Sequence, residues 1–186
     1  MNIGFALCGS FCTYEKAFEA MQVVAGIHTV TPIFSQAAYT TDSRFGTAEA
    51  HIARAAEICG RTPLHTISQV EPIGPKKLLD ALIIAPCTGN TLAKLAHSIA
   101  DGPVTMAAKS HLRNGRPVLI AISTNDALAG AAENIGKLLS RRCFYFVPFR
   151  QDDPAGKPTS IVADFSKMLP ALEDALTGRQ YQPILG

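Results

Sequence analysis

Apolar residues fall along this chain in short, dense runs separated by longer stretches where they recur at helical spacing. Residues 3–8, 28–34, 82–85, 117–122 and 143–149 are the dense runs, as expected of parallel strands buried on both faces. Residues 64–67 read as a further short strand, and Pro86, lacking an N–H, should end the central one. Between the runs, Phe18, Met21 and Val24 mark a helix entered at Thr13 and closed by Gly26, and a second runs from Gly46 to Gly60. Leu92, Leu95, Ala96 and Ile99 form an i, i+3, i+4, i+7 stripe that Asp101-Gly102-Pro103 should stop. Further helices are expected at 76–79 and 104–111, over 128–139 (Leu128, Ala131, Ala132, Ile135, Leu139), and over 161–176. Residues 36–45 and 150–158 read as polar loops. Such alternation predicts one domain over residues 1–186, an α/β fold: a three-layer α/β/α sandwich with a mostly parallel, doubly wound, Rossmann-like sheet.

Composition narrows the class. With 47% hydrophobic and 17% charged residues the chain can fill a core and has no disordered arm. Its net charge of +2, with scattered basic residues, argues against nucleic acid as the main partner. Five cysteines without a CxxC pair fit a reducing cytosol, with neither disulfides nor zinc. No apolar stretch approaches the roughly 18 residues of a membrane span. Gly9 and Ser10 interrupt the only N-terminal apolar run, so no signal peptide is expected.

The candidate chemistry lies in polar loops that follow strands. Thr88, Gly89, Asn90 and Thr91 supply two hydroxyls, an amide and a close-approach glycine at a helix N-terminus, a set that suits a phosphate or a heterocycle rim. Thr88 or Asn90 serves equally well as a helix cap. Gly9-Ser10 repeats the arrangement after the first strand, and Ser123, Thr124, Asn125 and Asp126 after a later one, so loops should converge on one sheet edge. Lys109, His111, Arg113 and Arg116 form either an anion-recognising edge or a solvated turn. Asp152-Asp153 reads as a solvated turn rather than a metal pair, and His51 as a packing or surface residue. No nucleophile elbow and no metal-spaced histidine pair occurs, so any enzyme here would depend on a bound cofactor.

These residues carry a resemblance. Gly9–Glu15, Arg44–Gly46, Glu71–Lys76, Ile84–Ala96, Met106–Lys109 with Arg113–Val118, Ala121–Leu128 and Pro148–Pro158 resemble the family of flavoprotein-fold second subunits of dipicolinate synthases, over nearly the whole chain. More broadly the chain is similar to the homo-oligomeric flavin-containing cysteine decarboxylases, whose Pro-Ala-Ser-Ala-Asn-Thr loop corresponds to Pro86–Thr91. Of their Pro-x-Met-Asn-x-x-Met clamp only the asparagine survives, as Asn125.

The resemblance implies FMN as cofactor, with Ser10 and Ser35 on its phosphate and Thr88, Gly89, Asn90, Thr91, Ser123 and Thr124 along its ring and ribityl chain. Gly89 is expected to let the ligand approach the backbone. A small dicarboxylate substrate would meet Asn125 and one or more of Lys109, His111 and Arg113. Also implied is a partner, the dehydrogenase-like first subunit of dipicolinate synthase. With it come a homo-oligomer, a cytoplasmic place in the mother cell of a spore-forming bacterium, and oxidation of a dihydrodipicolinate-type intermediate to dipicolinate. A flavin-dependent decarboxylase and a non-catalytic module that stabilises the partner are the alternatives. No residue is assigned as the catalytic acid or base.

Overall fold

The structure, a computed structural model, describes residues 1–186. Strands β1 (Asn2–Leu7), β2 (Thr29–Phe34), β3 (Ala81–Cys87), β4 (Val118–Thr124) and β5 (Phe144–Phe146) are parallel, in the order β2-β1-β3-β4-β5. β6 (Phe149–Asp153) and β7 (Lys157–Ala163) form an antiparallel hairpin that pairs with the last residues of β4, Ser123↔Val162 and Thr124↔Ile161. The strand order reverses between β1 and β3. Doubly wound sheets open a crevice at that switch point, above the carboxyl ends of the strands.

Both faces of the sheet are covered. On one face Ile84, Ile120 and Cys87 pack with α5 (Gly89–Ala96), α6 (Pro103–Leu112) and α7 (Ala132–Leu139) in a cluster of 25 buried residues. On the other, Phe5, Ile83 and Leu119 pack with α1 (Tyr14–Ala25), α3 (Ala48–Cys59) and α8 (Met168–Leu176) in one of 24. The two cores are nearly equal, which explains why the central strands are apolar at every position rather than at every second one. No helix is long and apolar enough to cross a membrane.

Several expectations change. Residues 64–67 do not form a strand: Leu64 makes a single bridge to Ile33, and Thr66 caps a short helix, α4 (Ile67–Val70), through a capping box with Gln69. Residues 76–79 are turn and irregular chain rather than helix. Five residues of the supposed 36–45 loop form α2 (Gln36–Thr40), started by Ser35, whose hydroxyl accepts the Ala38 N–H at 3.1 Å. β3 continues through Pro86 to Cys87, with the register to β4 shifting between Ile84 and Cys87, so the proline sits at a bulge where no ladder N–H is needed. α5 ends at Ala96, leaving Ile99 exposed, and α7 begins only at Ala132. The largest difference is at residues 150–163, where the expected loop and the start of the last helix are instead the β6–β7 hairpin. Ile161 and Val162 are apolar because they close the end of β4, not because they begin a helical stripe.

Candidate functional site

Thr88 caps α5, its hydroxyl accepting the Thr91 N–H at 3.3 Å and lying 3.1 Å from the Thr91 hydroxyl. The cap and ligand readings of this loop are compatible, because Thr88 also stands on the ridge between two cavities and lines both. The larger, about 600 Å³, lies over the switch point, between Cys8-Gly9, the start of α2 (Ser35, Gln36), Asn90-Thr91 and the start of α6 at Gly102–Thr105. The second, about 420 Å³, lies between Ser10, Thr13 and Lys16 on one side and Ser123–Asp126 with the β6–β7 hairpin on the other. Both volumes fall within the range of small-molecule and cofactor sites.

The structure therefore brings together the three strand-end loops named from sequence but divides their residues. Ser35, Asn90 and Thr91 face the first cavity, and Ser10, Ser123, Thr124 and Asn125 the second. Ser10 and Ser35 line different cavities, although Gly9, next to Ser10, is on the wall of the one that Ser35 lines. The Ser10 hydroxyl donates to the Ser123 carbonyl at 2.9 Å, and Thr13 donates to the Ser10 carbonyl at 2.9 Å and to the Ser123 hydroxyl at 3.2 Å. Gly89 also plays a different part. A Cβ there would fall 2.7 Å from Asp126 Oδ1 and 2.9 Å from Thr124 Oγ1, so the close approach it permits is that of the chain's own Ser123–Asp126 loop.

Lys109, His111 and Arg113 do not belong to this site. α6 starts at the sheet-edge cavity and runs away from it, about 15 Å over ten residues, so its last turn lies at the opposite end of the strands. His111 is fully buried, with Nε2 3.0 Å from the Pro117 carbonyl. Burial lowers its pKa to about 4, so it is neutral and not an anion receptor. Lys109 and Arg113 line a separate cleft.

The sequence places α6 within one residue, at 104–111, but does not show that its start belongs to the site, because Asp101-Gly102-Pro103 reads first as a stop. A glycine followed by proline at the first helical position is equally a start signal, and Thr105 completes it by accepting the Gly102 N–H at 3.3 Å. Sequence reasoning also misses Lys16 and the hairpin residues Asp152, Lys157 and Ser160, which line the second cavity. Asp152 is paired with Lys157 at 2.9 Å, while Lys16 has no ion-pair partner.

Electrostatically the floor is inert. Cys8 is buried against Thr91, whose hydroxyl donates to its sulfur at 3.3 Å, and burial pushes its pKa up to about 11. Cys87 is raised well above the ordinary thiol range for the same reason. Both are thiols at neutral pH, not nucleophiles. The walls offer hydroxyls, the amides of Gln36, Asn90 and Asn125, and backbone at helix starts, a set that binds and orients a polar ligand. The Asn90 side chain is exposed and has no hydrogen-bond partner within the chain, so its amide is free for a ligand. A flavin suits this place: the first cavity is large enough, its only carboxylate, Asp101, is neutralised by Lys94 at 2.9 Å, and its other donors are neutral.

Comparison with known proteins agrees with the geometry. The sequence model described as Flavoprotein matches residues 1–163. The chain is 42% identical over 185 residues, 99% of its length and 92% of the relative's, to the second subunit of dipicolinate synthase from Bacillus subtilis (strain 168). The crystal structure of the same subunit from Bacillus halodurans superposes with a TM-score of 0.91 at 41% identity, covering 100% of this chain and 95% of that one. An FMN-dependent cysteine decarboxylase shares the fold, with a TM-score of 0.68 at 21% identity and 95% of each chain covered.

Proposed function

The chain belongs to the Flavoprotein family, and from that premise we propose that it holds FMN at the switch-point cavity. We further propose that it acts with the first subunit of a dipicolinate synthase to oxidise a dihydrodipicolinate-type intermediate to dipicolinate during sporulation. The observation that carries the reading is the pair of hydroxyl-lined cavities meeting at Thr88, in a chain 42% identical to a dipicolinate synthase second subunit. Ser35, Thr88, Asn90 and Thr91 would hold the cofactor, with the starts of α2 and α6 facing its charged end. Aromatising a dihydropyridine removes a hydride and a proton, and bound FMN would supply a two-electron acceptor for the hydride. The chain's own residues bind, orient and exclude water. Ser10, Thr124 and Asn125 offer hydrogen bonds in the second cavity, and Lys16, rather than Lys109, His111 and Arg113, is the unpaired cation there for substrate carboxylates, Lys157 being held by Asp152. A homo-oligomer in the mother-cell cytoplasm completes the proposal.

The decarboxylase alternative is weaker on this chain. Where the clamp of those enzymes has two methionines, this chain has Thr124, whose hydroxyl donates to Asp126 at 2.6 Å, and Leu128, half-exposed beside the hairpin. The test is a flavin titration of the purified chain followed by assays of the chain alone, its dehydrogenase-like partner alone and the mixture. Expected are saturable FMN quenching and dipicolinate formation only in the mixture. Failure to bind any flavin, or full activity from this chain alone, overturns the proposal. A partner that is fully active without this chain also overturns it.

A further inference from the structure

Along α6 from Thr105 to its C-terminal end, a cleft of about 400 Å³ opens between α5, α6 and the start of β5, adjoining the first flavin cavity at Lys94 and Thr105. Its floor is apolar. Phe144 is 8% exposed at the bottom, Leu112 packs against the same core, and Ile99 is left 48% exposed at the rim. Its polar rim is basic: Lys94, Lys109, Arg113 and Arg141 line it, and no aspartate or glutamate does. Lys94 is neutralised by Asp101 at 2.9 Å. Arg141 donates one N–H to the Leu95 carbonyl at 3.2 Å and has no carboxylate partner. Lys109 and Arg113 make neither an ion pair nor a side-chain hydrogen bond within the chain.

Three uncompensated cations around an apolar concavity repel one another, and an anion that also covers the floor relieves both costs. Two of the three are guanidinium forks, which match a carboxylate through paired N–H donors and do so better than a point charge. The volume lies near the lower end of the small-molecule range, enough for one ring with its substituents and too small for a dinucleotide. We propose that this cleft is a second ligand site, separate from the flavin cavities, for a single-ring aromatic or unsaturated carboxylate. The apolar body lies on Phe144 and Leu112, and the carboxylate meets Arg113 and Arg141. The proposal does not depend on the flavin reading, since Phe144, Leu112, Arg113 and Arg141 line neither flavin cavity.

The probe is isophthalate, titrated calorimetrically into the full chain at low ionic strength, with and without saturating FMN. A saturable site that requires Arg113 is expected, with affinity unchanged within about twofold by FMN and at least about tenfold tighter than for sulfate, which lacks the apolar body. Arg113→Gln, which removes no contact within the chain and so leaves the fold intact by circular dichroism, should weaken isophthalate about tenfold. Lys76→Gln, an exposed lysine with no ion pair in the chain, should leave it unchanged. Absence of saturable binding overturns the proposal. So does isophthalate binding that FMN abolishes, sulfate binding as tight as isophthalate, or an Arg113→Gln chain that binds like the parent.

Discussion

Ser10 and Ser123 touch although their strands are not neighbours. β1 and β4 are separated in the sheet by β3, yet the Ser10 hydroxyl donates to the Ser123 carbonyl at 2.9 Å and lies 3.1 Å from its hydroxyl, with Thr13 as the third member. The contact ties the turn after β1 to the turn after β4 and forms one wall of the second cavity.

Ser10→Ala and Ser123→Ala should each cost about 1 kcal/mol, or roughly 2–4 °C in melting temperature for a domain of this size. The double variant should lose less than the sum, by ~0.5 kcal/mol or more, because one network is removed twice. Chemical denaturation of the four proteins measures this. Strict additivity would mean the two hydroxyls act independently.

Gly89→Ala should destabilise by about 1–3 kcal/mol, since its Cβ meets Asp126 and Thr124 rather than open space. Asp126→Ala removes the nearer contact and should recover at least about half of that loss in the double variant. An unaffected Gly89→Ala protein would show that the Ser123–Asp126 loop yields freely.

Thr88 and Thr47 perform the same capping task, accepting the N–H three residues ahead at 3.3 and 3.2 Å, but only Thr88 lines the cavities. Valine at either position should cost ~0.5–2 kcal/mol of stability. Thr88→Val alone should also weaken FMN, by about tenfold, as read by fluorescence quenching. Equal flavin affinity in the two variants would remove Thr88 from the site.

His111 makes stability depend on pH. Its pKa falls from 6.5 to about 4 on folding, so the unfolded chain binds the extra proton and stability is lost as pH falls through that window. Between pH 8 and pH 5 the loss is about 2 kcal/mol by linkage. Urea denaturation at the two values should show a smaller drop in His111→Gln than in the parent. An identical drop would assign the acid sensitivity to other groups.

What the sequence determined is tied to short-range pattern. Unbroken apolar runs such as Leu82–Ala85 are buried on both faces wherever they occur, so the three-layer sandwich, the parallel strands and the loops that end them were legible from periodicity alone. The loops alone left cap and ligand readings open, and it was the resemblance of whole motifs such as Pro86–Thr91 that pointed to the Flavoprotein family. Local pattern does not distinguish a hairpin from a polar loop followed by a helix, since Ile161 and Val162 fit either, and pairing with Ser123 and Thr124 decided it.

Tertiary structure alone decided how the loop residues divide between the cavities, because that depends on the strand order β2-β1-β3-β4 and not on distance along the chain. It also decided that Gly89 faces Asp126, 37 positions on, and that α6 carries Lys109 and Arg113 away from the edge where it begins. A helix rises a fixed length per residue, so its two ends serve opposite edges of a sheet; which end meets the ligand is set by the elements packed around it.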